Sequence, residues 1–216
     1  MTPGHVNTVI VGGGQAGLAM SAHLSEQGID HLVIERDRIA ERWRTARWDS
    51  LVANGPAWHD RFPMLEFEDC DGDGFPTRDS VVRYFETVAE RIDAPVRCGV
   101  EVKRAARLPS GRGFRIETSD GVVTADHVVA ATGPFQTPVI PPVVPDGVIK
   151  QIHSCHYRNP EQLEDGGVLV VGAGSSGSQI ADELLRSGRD VWLSVGPHDR
   201  PPRSYPVSYT HLTLPT

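Results

Sequence analysis

The chain has few cysteines and no cysteine pair. Its 216 residues include Cys70, Cys98 and Cys155, which are far apart in sequence and form no CxxC motif. An odd number of separated cysteines is typical of a reducing compartment rather than of a disulfide-stabilised domain. The sequence therefore also lacks the redox-active cysteine pair on which a disulfide reductase depends.

Long hydrophobic runs and an excess of positive charge are also missing. The first apolar stretch, residues 9–11, passes directly into glycines, so it predicts neither a signal peptide nor a membrane span. The formal net charge of -7 argues against nucleic acid or an anionic membrane as the main partner. We therefore expect a soluble, cytoplasmic protein. The oligomeric state is not indicated.

One sequence unit occurs twice. The first copy contains GGGQAG at 12–17 and the second GAGSSG at 172–177, so corresponding residues are separated by 160 positions. Each copy predicts a strand, a glycine turn, a helix and a second strand, which in the first copy cover 6–11, 15–27 and 31–35. This is the context in which a glycine motif indicates a dinucleotide site. The predicted fold class is α/β, with two Rossmann-like dinucleotide-binding folds.

The glycines of each turn have separate roles. Gly12 allows a tight turn, Gly14 lets a pyrophosphate approach the backbone, and Gly17 lets the helix pack closely on the strand. Gln15 and Ala16 begin the helix, whose free amides and positive dipole end favour phosphate. In the second copy the same roles fall to Gly172, Gly174, Ser175, Ser176 and Gly177.

The residue after the second strand distinguishes the two nucleotides. In the first copy it is Glu35, a carboxylate that accepts hydrogen bonds from ribose hydroxyls and repels a 2′-phosphate, so the first site suits FAD or NAD. In the second copy the position is Val195. Ser194, Arg200 and Arg203 lie nearby and tolerate a 2′-phosphate, which favours NADPH over NADH.

The segment between the repeats predicts a helix and a β-meander. Thr77 caps the helix and Pro95 ends it. Strands follow at 96–102, 104–108, 113–118, 122–124 and 127–131, and the last ends in Thr132-Gly133. The meander is thus inserted into the first doubly wound fold. Five prolines between 134 and 145 indicate a linker.

These motifs together resemble those of flavin-containing monooxygenases, a group that includes the YUCCA-type enzymes and bacterial relatives. The matching residues are GGGQAG at 12–17, Glu35-Arg36, Trp43, ATG at 131–133, HSCHY at 153–157 and GAGSSG at 172–177. Two features depart from the family. Gly147 and Ile149 stand where Phe and Gly are usual. Asn54 falls roughly where an asparagine faces the flavin, but Gly55-Pro56 follows it.

The resemblance implies an activity and its cofactors. FAD is expected in the first fold, in contact with Arg36, Trp43, Thr132 and Gly133 as well as with the glycine turn and Glu35. NADPH is expected in the second fold. In such enzymes NADPH reduces FAD, the reduced flavin reacts with O2, and a flavin C4a-peroxide oxygenates a small molecule at nitrogen, sulfur or a ketone. Asn54 is the candidate catalytic residue.

Two other functions stay open. A flavin-dependent disulfide reductase shares the scaffold but needs the missing cysteine pair. A regulatory flavoprotein binds nucleotides without turnover, and steady NADPH consumption distinguishes it from an enzyme. No metal is expected, because the EF-hand-like segment 69–74 lacks a glutamate at its twelfth position, Ser80, and HxCH at 153–156 lacks a second ligand pair.

The predicted domain bounds are 1–138 for the FAD-binding domain, 139–166 for the linker and 167–205 for the start of the NADPH-binding domain. The second fold is expected to be truncated, because a doubly wound domain needs several more strands. Residues 206–216 resemble a translated sequencing adapter, so we expect a natural protein about twice as long. The chain as given is expected to retain little FAD and to oxidise no NADPH.

Overall fold

The computed structural model describes residues 4–135, 137–145 and 147–197. The chain forms two compact units, Met1–Gln162 and Leu163–Thr216, and each is described by itself. The predicted linker at 139–166 is divided between them. Within the described ranges, no helix has the length and apolar character needed to cross a bilayer. The predicted α/β class is confirmed.

The first unit is organised around one six-stranded sheet. Its strands are β1 (His5–Val11), β2 (His31–Ile34), β3 (Val96–Arg97), β4 (Val102–Arg107), β5 (Phe114–Thr118) and β6 (Gly121–Ala130), in the order β3-β2-β1-β6-β5-β4. The first four strands in that order are parallel. β4, β5 and β6 form the expected antiparallel meander. The chain leaves β1 for β2 on one side and reaches β6 on the other.

β6 differs from the prediction. Two strands were expected, at 122–124 and 127–131, but one strand of ten residues is present. Its first half pairs with β5 and its second half with β1, and Thr124 and Ala125 belong to both pairings. The polar Asp126 does not interrupt the strand, because its side chain is exposed and faces His5. The strand expected at 96–102 was also wrong: its ends pair in β3 and β4, and residues 98–101 belong to neither.

Four helices accompany this sheet: α1 (Gln15–Glu26), α2 (Glu41–Thr45), α3 (Ala57–Asp60) and α4 (Arg78–Arg91). The predicted cap of α4 is confirmed, since the Thr77 hydroxyl accepts from the Ser80 amide at 3.2 Å. The sequence predicted that Pro95 ends this helix, and that prediction was wrong. The helix ends earlier because Asp93 adopts a left-handed conformation, with φ of 48°, which turns the chain away.

The core of this unit consists of two clusters. One is built by Leu18 of α1, by the inner face of α4 around Phe85 and Val88, and by residues between 40 and 67. The other is built by strand residues, including Val9 and Ile116, both fully buried. The sheet and the first cluster together fix the position of the turn between β1 and α1.

The side chain of Tyr84 connects α4 to the segment that precedes this helix in the sequence, residues 62–65. Its hydroxyl accepts from the Phe62 amide at 2.7 Å and donates to the Leu65 carbonyl at 2.6 Å. Tyr84→Phe leaves both backbone groups unpaired, so we expect a loss of about 1–3 kcal/mol in the free energy of unfolding, measured by urea denaturation. Glu90→Gln, on the exposed side of α4, is the control. A Tyr84→Phe protein as stable as the wild type would contradict this role.

The second unit repeats the start of the first. It contains β7 (Val168–Val171), α5 (Ser175–Arg186) and β8 (Val191–Ser194), and β7 pairs in parallel with β8. Ile180 and Leu184 on α5 are buried. The predicted strand-turn-helix-strand unit is therefore present in both places, and α1 and α5 each have 12 residues.

Candidate dinucleotide sites

The first glycine turn requires glycine for two different physical reasons. Gly12 has a φ of 113°, which side chains rarely allow. Its amide donates to the Ile34 carbonyl at 2.8 Å, which ties the turn to the end of β2. A Cβ at Gly17 would overlap the carbonyl oxygen of Gly12, so glycine is needed there for α1 to lie this close to β1.

Gly14 differs from these two glycines, because a Cβ placed on it would have no atom within 4 Å. No side chain caps α1, and its first turn carries no acidic residue. Gln15 and Ala16 are exposed at this end of the helix. Open space over Gly14, beside free amides and a positive helix end, fits a pyrophosphate. The predicted cradle therefore has a shape and charge suited to a dinucleotide.

The ATG segment lies against this cradle. The Ala131 amide donates to the Val11 carbonyl at 2.9 Å, and a Cβ at Gly12 would overlap the Ala131 carbonyl oxygen. Thr132 and Gly133 follow directly, the latter with a φ of 73°. Because β1 has β2 on one side and β6 on the other, the turn stands at a topological switch point, where ligands bind in sheets of this kind.

Glu35 directly follows β2 and points back to the turn. Its Oε2 accepts from the Gly13 amide at 2.7 Å, and its Oε1 accepts from the Asp37 amide at 2.9 Å. Each carboxylate oxygen has a second lone pair, which remains suited to a ribose hydroxyl. Gly13 was missed by the sequence reasoning, although it lies inside the glycine motif.

The other predicted residues of the first site lie around it. Arg36 is exposed, and its Nε donates to Asp37 at 3.1 Å. Trp43 lies on α2, packs against the first core cluster and has the Arg47 guanidinium 5.7 Å from its ring centre. Asn54 is exposed in the loop before α3. Its catalytic role stays a prediction.

HSCHY at 153–157 packs within the first unit. Tyr157 is buried, and the next residue, Arg158, donates to the carbonyls of Thr45, Arg47 at 3.3 Å and Cys155 at 3.0 Å. Sequence reasoning missed Arg158, because its partners near α2 lie more than a hundred positions away.

The second turn has the geometry of the first. Gly172 has a φ of 103°, and its amide donates to the Ser194 carbonyl at 3.0 Å. A Cβ at Gly177 would overlap the Gly172 carbonyl oxygen, whereas Gly174 has open space. Ser175 and Ser176 are exposed at the start of α5. The two cradles thus match position by position.

The residue after β8 does not match. Val195 occupies the place of Glu35 and is 59% exposed, with no carboxylate at that position. Ser194 ends β8 and is exposed. Arg200 and Arg203 lie outside the described residues.

The first unit has a glycine turn at the switch point of a mostly parallel sheet, and the second unit repeats the strand-turn-helix-strand element, an arrangement typical of proteins that bind dinucleotides. The chain belongs to the pyridine nucleotide-disulphide oxidoreductase family, whose profile matches residues 9–211.

Individual relatives agree with this assignment. The chain is 40% identical over 194 residues to an uncharacterized CzcO-like oxidoreductase of Geobacillus kaustophilus, covering 88% of this chain and 54% of that protein. It is 31% identical to the probable indole-3-pyruvate monooxygenase YUCCA1 of Arabidopsis thaliana, covering 87% and 46%. The chain therefore spans about half the length of the curated relatives it matches.

The structural comparison points the same way. The flavin-containing monooxygenase of Stenotrophomonas maltophilia superposes with a TM-score of 0.79 at 25% identity, covering 91% of this chain and 59% of that one. The resemblance to flavin-containing monooxygenase-like oxidoreductases, including YUCCA-type proteins, is thereby confirmed.

Proposed function

We propose that the chain is part of an NADPH-dependent flavoprotein monooxygenase that oxygenates a small molecule at nitrogen, sulfur or a ketone. One observation carries this proposal: two cradles of the same backbone geometry have opposite residues at the ribose position, Glu35 in one and Val195 in the other. The two sites therefore select different dinucleotides, as an enzyme that passes electrons between two cofactors requires.

The first site is proposed to hold FAD. The exposed end of α1 and the open space over Gly14 would take the pyrophosphate. The Glu35 carboxylate, held in place by two backbone amides, would accept from the ribose hydroxyls. FAD held there would supply the redox chemistry, the transfer of electrons from NADPH to O2. Thr132 and Gly133 border the cradle at the end of β6 and would shape its flavin side.

The second site is proposed to hold NADPH. The Gly172–Gly177 turn supplies the same amides as the first, and the exposed Val195 brings no negative charge to the ribose. A 2′-phosphate is therefore accepted at this position, whereas Glu35 would repel it. Arg200 and Arg203 follow in the sequence and are proposed to pair with that phosphate.

Binding and turnover are tested separately. Binding is tested by titrating the full gene product that carries this chain with FAD, NADPH and NADH, and we expect FAD at the first site and a preference for NADPH over NADH at the second. Turnover is tested on the full gene product that carries this chain, with NADPH, 18O2 and an amine, a thioether or a ketone. We expect one labelled oxygen atom in the product. NADPH loss without labelled product would reject the monooxygenase.

A flavin disulfide reductase is the second candidate, because the family to which the chain belongs is that of the pyridine nucleotide-disulphide oxidoreductases. The cysteines do not favour it. Cys155 is buried, and burial raises the pKa of the Cys70 and Cys98 thiols, which disfavours the reactive thiolate. NADPH-dependent reduction of a low-molecular-weight disulfide that survives replacement of all three cysteines by serine would exclude a cysteine-based mechanism.

A nucleotide-binding regulatory protein is the remaining alternative. It shares both cradles but consumes no NADPH, so the turnover experiment separates it from either enzyme.

A further inference from the structure

Two arginines lie together beside the carboxyl end of β6. Arg42 on α2 donates from Nη2 to the Phe135 carbonyl oxygen at 2.5 Å. The Arg47 guanidinium lies 5.7 Å from the centre of the Trp43 ring and 5.5 Å from the centre of the Phe135 ring. Arg42, Trp43, Arg47 and Phe135 thus form one cluster, which we call the arginine cluster.

The two positive charges in this cluster have no carboxylate partner among the described residues. Arg42 and Arg47 donate to the backbone oxygens of Phe135 and Ala46. The nearby Arg38 and Arg44, in contrast, form ion pairs with Glu41 and Glu86. The positive charges of Arg38 and Arg44 are therefore neutralised by ion pairs, whereas those of Arg42 and Arg47 are not.

Two further observations indicate that the cluster lacks a negative charge and a hydrogen-bond acceptor. Burial lowers the pKa of Arg47, and the nearby charge on Arg42 lowers it further. The Nε of Arg42 is buried without a hydrogen-bond acceptor among the residues that the structure describes. Like charges held together, with a buried donor left unpaired, destabilise a protein unless an acceptor is bound.

We propose that Arg42 and Arg47 form a binding site for an oxyanion, either a phosphate or a carboxylate. A planar guanidinium presents several donors to two oxygens of one anion, so both groups suit this pair. An oxyanion there would neutralise the two charges and supply acceptors for the unpaired donor.

The cluster lies close to the first cradle. Phe135 is four residues beyond Ala131, whose carbonyl oxygen lies against Gly12, and four residues span at most about 14 Å. Two sources of the anion are consistent with this position. One is a phosphate of the dinucleotide, which rests on the proposed function, and the other is the carboxylate of a small molecule. Phe135 is 66% exposed and offers an apolar surface to such a molecule.

The site itself is tested without any dinucleotide. The thermal midpoint is measured with and without inorganic pyrophosphate and benzoate at constant ionic strength, for the wild type, Arg42→Gln and Arg47→Gln. Arg83→Gln is the matched control, because Arg83 carries the same charge but pairs with Asp69. We expect at least one anion to stabilise the wild type and Arg83→Gln, with most of that shift lost in the other two. Equal shifts in all four proteins, or no shift in the wild type, would overturn the proposal.

The source of the anion is tested by affinity measurements on the full gene product that carries this chain and on its variants. If it is the dinucleotide phosphate, Arg42→Gln and Arg47→Gln weaken FAD binding roughly tenfold or more and leave riboflavin, which has no phosphate, unaffected. If it is a carboxylate, the same variants weaken benzoate binding and leave FAD and the neutral benzamide unaffected. Unchanged affinities for both anions would reject the site. Failure of the wild type to bind FAD contradicts the proposed function alone, because the pyrophosphate and benzoate measurements do not depend on it.

Discussion

Gly14→Ala is expected to weaken dinucleotide binding without destabilising the first unit, whereas Gly17→Ala is expected to destabilise the unit itself. A Cβ at Gly14 meets no atom within 4 Å, but it occupies the space through which a pyrophosphate approaches the backbone. A Cβ at Gly17 overlaps the carbonyl oxygen of Gly12, and backbone atoms cannot yield without moving α1 away from β1. The two substitutions add the same methyl group three residues apart.

The expected magnitudes separate the two variants. For Gly14→Ala we expect a free energy of unfolding within about 0.5 kcal/mol of the wild type, and FAD affinity lower by roughly a hundredfold. For Gly17→Ala we expect a loss of about 3 kcal/mol or more, which lowers the thermal midpoint by roughly 6–12 °C. Thermal unfolding without ligand and FAD titration measure the two effects. A destabilised Gly14→Ala protein, or a stable Gly17→Ala protein, would contradict this division of roles.

The same comparison applies to the second unit. Gly174 has open space and Gly177 meets the Gly172 carbonyl oxygen, as in the first turn. Gly174→Ala is therefore expected to weaken NADPH binding and leave FAD binding unchanged. It serves as the control that assigns each nucleotide to its own cradle.

The cradles were predictable from sequence because their geometry leaves little choice of residue. A positive φ at Gly12 and a close helix approach at Gly17 each require glycine, so the requirement is written directly in the sequence. The carboxylate of Glu35 is equally local, since it directly follows a short buried strand. The repeat at 172–177 then located the second glycine turn, because every corresponding residue lies 160 positions further along the chain.

The arginine cluster was not predictable, for a physical reason. Arg42 and Phe135 are 93 positions apart, and their contact depends on how α2 packs beside the end of β6. Nothing in either local sequence records that contact. The anchoring of Arg158 to the carbonyl of Arg47, 111 positions away, was invisible for the same reason.

The errors in secondary structure have a similar origin. The short apolar runs of β6 look like two strands in isolation, and only their pairing with β1 and β5 joins them. At the end of α4, the left-handed conformation of Asp93 stops the helix before Pro95 can act. The extent of β6 was therefore determined by tertiary strand pairing, and the end of α4 by a single backbone angle, rather than by local propensity.

Val195→Glu is expected to reverse the coenzyme preference of the second site. The two cradles match in backbone geometry, so a carboxylate at 195 should stand where Glu35 stands in the first. It would repel a 2′-phosphate and accept hydrogen bonds from the free ribose hydroxyls of NADH. We expect NADPH affinity to fall roughly tenfold and NADH affinity to rise by a similar factor, which changes the ratio of the two about a hundredfold.

Two controls separate charge from size. Val195→Gln has nearly the same volume as the glutamate variant but no charge, so it should weaken NADPH far less. Fold stability should not change in either variant, because Val195 is 59% exposed. The two dissociation constants are measured by fluorescence titration at low and at high salt, since repulsion between charges weakens as ionic strength rises. If Val195→Glu and Val195→Gln reduced the NADPH affinity equally, the carboxylate would not reach the 2′-phosphate. The electrostatic assignment of the two sites would then be wrong.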